Sequence, residues 1–375
     1  MKFMRLVPRA TPSQRMLLLA PLLAVGLTLA AGLVVFASLG QSPLTAFRVF
    51  FIEPVSNING VSELLMKASP LCLIALGLAI GFRANIWNIG AEGQMYVGGI
   101  FATGLAIYFN EAGGAWLLPA MIVAAACGGA LWASITAFFR ARFHTNEILV
   151  SLMLTYVADL LVKYLVYGPW QDPAANNFPI TVTFGDDAQF SLFAALFSSW
   201  GFEWLEGTRI NTSLLITIVA VPLAWLFMDK SFLGFQLAVA GAAPGAARYA
   251  GFSDKRMVWI ALLISGAAAG LAGVAEVAGP IGNLNDRWTP GYGFTAIIVA
   301  TLGRLNAIGI VLASLLMALL YLGGEAAQVS LQLPKAISQV FMGLLLMFLL
   351  GCDVLVNYRV EWLRSAARRG SGAPS

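Results

Sequence analysis

Apolar runs recur along the whole chain, most of them long enough to cross the roughly 30 Å of a bilayer's hydrocarbon, and short polar clusters or glycines separate them. Their limits predict helices over 16–39, 62–81, 93–109, 115–139, 147–168, 210–228, 257–278, 293–303, 307–323 and 336–351, about ten in all. The runs are too long and too uniformly apolar for the alternating strands of a membrane barrel. The expected fold is all-α: one polytopic membrane domain over 1–375, with no separate soluble domain. The first run follows Lys2, Arg5, Arg9 and Arg15, as a secretory leader would. It exceeds a leader's apolar core and no clear cleavage site follows, so it reads as a retained helix.

Two interruptions break this pattern. "FRANIWNIGAEGQMY", residues 82–96, puts Arg83, Asn85, Asn88, Glu92 and Gln94 between two apolar stretches. From Gly291 onward, only about ten apolar residues, a rise of about 15 Å, precede Gly303, Arg304 and Asn306. One short, Gly-interrupted polar segment thus stands in each half of the chain. In transporters such a pair marks a pathway near the midplane, because irregular backbone survives at depth only where it lines a cavity or is buried in protein. Arg83 and Arg304 can equally snorkel to cytoplasmic phosphates, and Glu92 can cap a helix N-terminus.

Composition strengthens the membrane reading. The chain is 59% hydrophobic and 11% charged, against about 25% charged in soluble domains. The net charge of +4 does not point to nucleic acid, because the basic residues cluster beside helices. Arg140 with Arg142, Lys230, Arg248, Lys255 and Arg256 in one loop, and Arg359, Arg364, Arg368 and Arg369 in the tail all become cytoplasmic if ten crossings leave both termini inside. Residues 1–15 then form a cytoplasmic N-terminus, and 360–375 a disordered cytoplasmic tail. The external loop 169–209 is acidic, and Phe190, Phe193, Phe197, Trp200 and Trp204 recur in it at helical spacing. Such a stripe would anchor at the outer membrane surface or dock an external partner.

The remaining chemistry is sparse. No G-x-x-x-x-G-K-[ST] cradle, nucleophile elbow or HExxH occurs, so no catalytic residues, cofactor or metal are expected and ATP hydrolysis would lie elsewhere. Cys72, Cys127 and Cys352 fall in helices and behave as small apolar residues, while His144 lacks a visible partner. Asp159 and Lys163 stand at i, i+4 and neutralise each other. Glu276 reaches the interface or a polar neighbour. "SGAAAGLAG", 265–273, lets helix backbones approach closely. The stretch 229–256 is the longest cytoplasmic loop and the one able to hold a helix of its own, beginning at Pro244 and closed by Gly251. Its nearly bare surface suits insertion into a groove on another protein.

Taken together, "GFRANIWNIGAEGQMYVGG", "NEILVSLMLTYVADLLVKYLVYGPWQDP", "GAAPGAARYAGFSDKRMVWIALLISGAAAGLAGVAEVAGP" and "GYGFTAIIVATLGRLNAIG" resemble the permease subunits of bacterial ABC importers for nucleosides and simple sugars, relatives of the ribose and branched-chain amino acid permeases. "NIGAEGQ" is similar to the nucleoside branch. The resemblance implies an inner-membrane importer subunit working with two ATP-binding domains on separate chains or fused in one, a second similar permease and an external substrate-binding lipoprotein. It implies that Gly241, Pro244, Gly245, Ala246, Ala247, Arg248, Tyr249 and Gly251 form the segment that docks on the ATPase. Asn85, Asn88, Glu92, Gln94, Phe294 and Asn306 would flank the translocation pathway. Thr155 departs from the asparagine usual after "LML", and Ala307 from the proline usual after "GRLN", which would soften a helix start. The rival reading from the residues is an ion-coupled secondary transporter using Asp159 and Glu276.

Overall fold

The computed structural model describes residues 4–9, 13–109, 113–197, 207–334 and 336–362. In chain order these form β1 Met4–Pro8, α1 Gln14–Ser38, α2 Pro43–Phe47, α3 Ile58–Arg83, α4 Ala91–Tyr108, α5 Leu117–Phe143, α6 Glu147–Val166, α7 Phe193–Phe197, α8 Leu214–Lys230, α9 Phe232–Ala242, α10 Pro244–Tyr249, α11 Asp254–Glu276, α12 Tyr292–Leu302, α13 Ala307–Leu331, α14 Ile337–Asn357 and β2 Tyr358–Trp362. A helix occupies each of the ten expected stretches. Among the described residues, seven helices are long and apolar enough to cross a membrane, or eight if α8 and α9, bent by 64° at Ser231, count as one span. Side-chain caps set several starts: Asn57 accepts from Gly60, Asn146 from Ile148 and Ser231 from Gly234.

The chain divides into two compact units, Met1–Arg48 with Ala327–Ser375, and Val49–Ala326. In the first, α1 packs on α14, with the Phe36 and Phe341 rings 5.4 Å apart. β1 and β2 pair antiparallel in a register that sets Arg5 opposite Glu361. This ribbon departs from the all-α expectation, and residues 360–362, expected to be disordered, are strand. Alternating residues in "MRLVP" and "YRVEW" suit a strand, but each is too short to be recognised without its partner at the other end of the chain. Residues 363–375 lie outside those described.

The second unit is built around α3, in which every residue from 68 to 82 is buried. Helix α11 lies against α3, α4 and α5 through its small residues. A Cβ on Gly266 would meet the Gly129 carbonyl, one on Gly270 the Ala125 carbonyl, and one on Gly273 the Met95 carbonyl, all inside normal contact distance. Backbone meets backbone along this seam, as "SGAAAGLAG" requires. Gly129 is a tight partner on α5, because its Cβ would overlap the Gly266 carbonyl oxygen. Gly129→Ala is expected to cost about 3 kcal/mol through overpacking, read as a lower unfolding midpoint of the detergent-solubilised protein. An unchanged midpoint would show that the seam can spread without loss.

Within the segment 169–209 expected to be external, the described residues from Thr181 to Phe190 are more ordered than a loop. Thr181 N–H donates to the Leu284 carbonyl, Phe184 N–H to Gly282 and Phe190 N–H to Ala278, so this stretch ladders against the residues after α11. Phe190 is consequently buried and does not belong to the expected aromatic stripe. Phe193 is half-buried at the start of the short helix α7, and Trp200 and Trp204 lie outside the described residues.

Candidate functional site

Helix α3 stops at Arg83, and Asn85 takes a left-handed conformation with φ +56°. Residues 84–90 then run without regular structure until α4 begins at Ala91, so Asn88 and Glu92, four apart, do not share a helical face. Asn88 and Gly90 of this irregular stretch are buried in protein, whereas Asn85 and Trp87 are exposed. Ile89 N–H donates to Ser151 Oγ at 3.2 Å, and Gly90 N–H donates to Asn88 Oδ1 at 3.1 Å. The Asn88 and Gln94 amides bond reciprocally, and Asn88 Nδ2 also donates to Ser265 Oγ of α11 at 2.8 Å. Gly90 and Gly93 let α6 approach until a Cβ on either would lie 2.7 Å from Ser151 or Thr155. Thr155, buried, gives its hydroxyl hydrogen to the Ser151 carbonyl of its own helix.

Glu92 joins the two interruptions. Its Oε2 accepts the Gly293 N–H in the first turn of α12, and its Oε1 accepts from the Thr289 hydroxyl at 2.8 Å. Glu92 is itself in the first turn of α4. The N-termini of α4 and α12, both positive ends of helix dipoles, therefore meet around one carboxylate that is 2% exposed. Gly293 is required here because a Cβ would strike the Glu92 backbone. The capping role open to Glu92 in the sequence is the one it plays, for a helix in the other half of the chain.

Arg83 closes the C-terminal end of α12. Its Nε and Nη2 donate to the Leu305 carbonyl at 3.1 and 2.9 Å, and its Nη1 to Asp229 at 2.6 Å. It thus clamps three segments together, where a snorkelling side chain would leave them. Asn306 Oδ1 accepts from Ile308 N–H at 3.0 Å, so this cap starts α13 without the missing proline at Ala307.

The six expected pathway residues therefore separate. Asn88, Glu92 and Gln94 are buried and hydrogen-bonded within the protein; Asn85 and Asn306 are exposed, and Phe294 is 40% exposed on α12. In the expected coupling segment, Pro244 opens α10 and Gly251, at φ +80°, follows its end. The outward residues are Pro244, Gly245, Ala246, Arg248, Tyr249 and Gly251, with Tyr249 97% exposed, whereas Ala247 is fully buried. The stretch 229–256 is not mainly loop, because α9 fills 232–242. Gly241 belongs to α9 and presses on the end of α3, where a Cβ would overlap the Arg83 carbonyl oxygen. A cavity of about 290 Å³ has Asn85, Arg140, Arg248 and Lys255 in its wall, so the first interruption and α10 share one water-accessible space. Asp159 pairs with Lys163 at 2.7 Å on α6. Sequence reasoning missed Thr289, Ser265 and the pair Lys67 and Glu325, whose bonds to Glu92, to Asn88 and to each other join segments far apart in the chain.

Residues 60–350 match the model of a family described as branched-chain amino acid transport system / permease component. The chain is 37% identical to the glucose ABC transporter permease protein of Haloferax volcanii, over 99% of this chain and 97% of that one. It is 30% identical to a guanosine ABC transporter permease protein of Bacillus subtilis, over 88% of this chain and 92% of the other. A second guanosine permease of the same Bacillus is 27% identical over 66% of this chain and 76% of its own length.

Proposed function

The chain belongs to the branched-chain amino acid transport system permease component family and is the permease of an ABC importer; from that premise we propose that it carries a neutral nucleoside or simple sugar inward and is driven through α10. ATP hydrolysis lies on separate subunits. The names of its relatives, glucose for one and guanosine for two, support this solute class. The two Bacillus guanosine permeases support pairing with a second, non-identical permease, alongside two ATP-binding domains and an external lipoprotein.

In this reading ten membrane-embedded segments, including α4 and the half-length α12, leave both termini in the cytoplasm beneath the inner membrane. The β1–β2 ribbon supports an even count, because hydrogen-bonded terminal strands must lie on one side. The basic last turns of α5 and α8 support a cytoplasmic placement of those helix ends.

The observation that carries the mechanism is the contact of Gly241 with Arg83. A push on α10 from the ATPase passes along α9 to the end of α3. There it meets the irregular stretch 84–90 and, through Arg83, the turn after α12. Asn85, Asn306 and Phe294 would face the path, while Asn88, Glu92 and Gln94 hold the interrupted helices around it. Nucleotide must bind the two arrangements with different affinity, since otherwise it shifts nothing.

The test is uptake by proteoliposomes holding this permease, its partner permease and the ATPase, supplied with the binding lipoprotein. ATP-dependent accumulation of labelled guanosine or glucose is expected. Accumulation driven by an imposed proton gradient without ATP would overturn the reading and restore the ion-coupled alternative.

A further inference from the structure

Lys67 of α3 and Glu325 of α13 form an ion pair inside two membrane-spanning helices, with Nζ 3.0 Å from Oε1. Their side chains are 21% and 41% exposed, so neither is sealed in the bundle. A charge within a span meets water or another protein group rather than acyl chains. The pair does not stand alone. Glu276, at the end of α11, feels the charges of Lys67 and Glu63. Tyr321, one turn before Glu325, shares a 2.7 Å hydroxyl hydrogen bond with Thr295 of α12 and packs edge-on to Tyr292, with ring centroids 5.6 Å apart. The Tyr321 hydroxyl also reaches the Pro290 carbonyl, so this polar wall adjoins the segment that Glu92 holds.

The chemistry of the wall selects its ligand. The ammonium has N–H donors beyond the one given to Glu325, and the exposed carboxylate has further lone pairs to offer. Each hydroxyl of a vicinal diol both donates and accepts, so one diol can bond the carboxylate and the ammonium together. An ionic solute would instead have to break a pair that already neutralises itself. We propose that Lys67 and Glu325 form a contact site for the vicinal hydroxyls of a neutral polyhydroxylated solute on its way through the permease. This rests on the importer reading and names residues that touch its cargo.

Once ATP-dependent uptake by the wild-type complex has established the importer reading on its own, the site is tested by uptake kinetics. The probes are guanosine against 2′-deoxyguanosine and glucose against 2-deoxyglucose. Glu325→Gln is expected to raise KM for the transported parent compound about tenfold and to erase its preference over the deoxy analogue. Asp159→Asn, which breaks an ion pair on another helix, should alter neither. The double exchange Lys67→Glu with Glu325→Lys restores a pair but inverts its geometry, so it is expected to keep the raised KM. If the exchange restores wild-type KM, the pair is a structural or subunit-interface contact and the proposal fails. An unchanged KM or an unchanged preference in Glu325→Gln overturns it equally. Where the Gln variant does not assemble, Glu325→Asp keeps the charge and withdraws the carboxylate by one methylene, with the same expectation and the same overturning results.

Discussion

Glu92→Ala is expected to destabilise the permease by about 4 kcal/mol, because two hydrogen bonds to a buried charge, each worth about 1.5–3 kcal/mol, disappear together. The Gly293 N–H and the Thr289 hydroxyl lose their acceptor, and the positive ends of α4 and α12 are left facing each other without a counter-charge. Glu92→Gln keeps one carbonyl acceptor but turns the other oxygen into an N–H donor and removes the charge, so one of the two bonds survives and its cost is expected to be about half. The measurement is the thermal midpoint of the detergent-solubilised complex, with a fall on the order of 10 °C for the Ala variant. The geometry also predicts a local signature: faster hydrogen exchange at the first turn of α12 in both variants. Equal midpoints for wild type and Glu92→Ala would mean that the carboxylate does not hold the half-helix.

Ala246→Glu should abolish transport while sparing the fold. Ala246 is exposed on α10, so a glutamate there costs the isolated permease less than about 0.5 kcal/mol. In the proposed contact with the ATPase, the same charge would be buried without a partner at a cost of about 2–5 kcal/mol, which weakens the contact roughly 30-fold or more. ATP-driven uptake is therefore expected to fall by at least tenfold, with hydrolysis by the free ATPase subunit intact and less of that subunit co-purifying. The neighbouring Ala247 gives the contrast. It is fully buried against the permease itself, so Ala247→Glu should reduce the amount of folded protein instead. Undiminished uptake by Ala246→Glu would show that α10 is not the driven element.

These two experiments probe the two kinds of information the chain holds. The α10 segment is legible as it stands, because its markers are local. Such a helix needs no distant partner to be recognised: Pro244 fixes a φ suited to the first helical turn, Gly251 supplies the left-handed residue after it, and the alanines between leave a bare surface. The apolar runs are legible for the same reason, since the bilayer dictates their length without reference to neighbouring helices. The small-residue seam of α11 also signals close packing, although not which helices meet it.

Glu92 shows where local reading stops. Its position in a polar interruption can be read directly, but the partner that gives it a role, the Gly293 N–H, is 201 residues away. The same holds for Arg83 and Leu305, for Asn88 and Ser265, and for Lys67 and Glu325, each joined across helices by the packing of the bundle. The β1–β2 ribbon is the extreme case, as neither five-residue strand is stable alone.

Linear order is enough to establish a helical membrane protein without an ATPase motif of its own, the places where its helices are interrupted, and a short helix opening at Pro244 whose surface is nearly bare. Hydrophobic length and helix-start chemistry act within a few residues, so they can be read without knowing what lies across the bundle. Packing had to specify which interrupted helices share a carboxylate, how α9 presses on the end of α3, and where a charged pair stands open within the spans. Those facts depend on hydrogen bonds and steric contacts that form only after distant segments are brought within a few ångströms of one another.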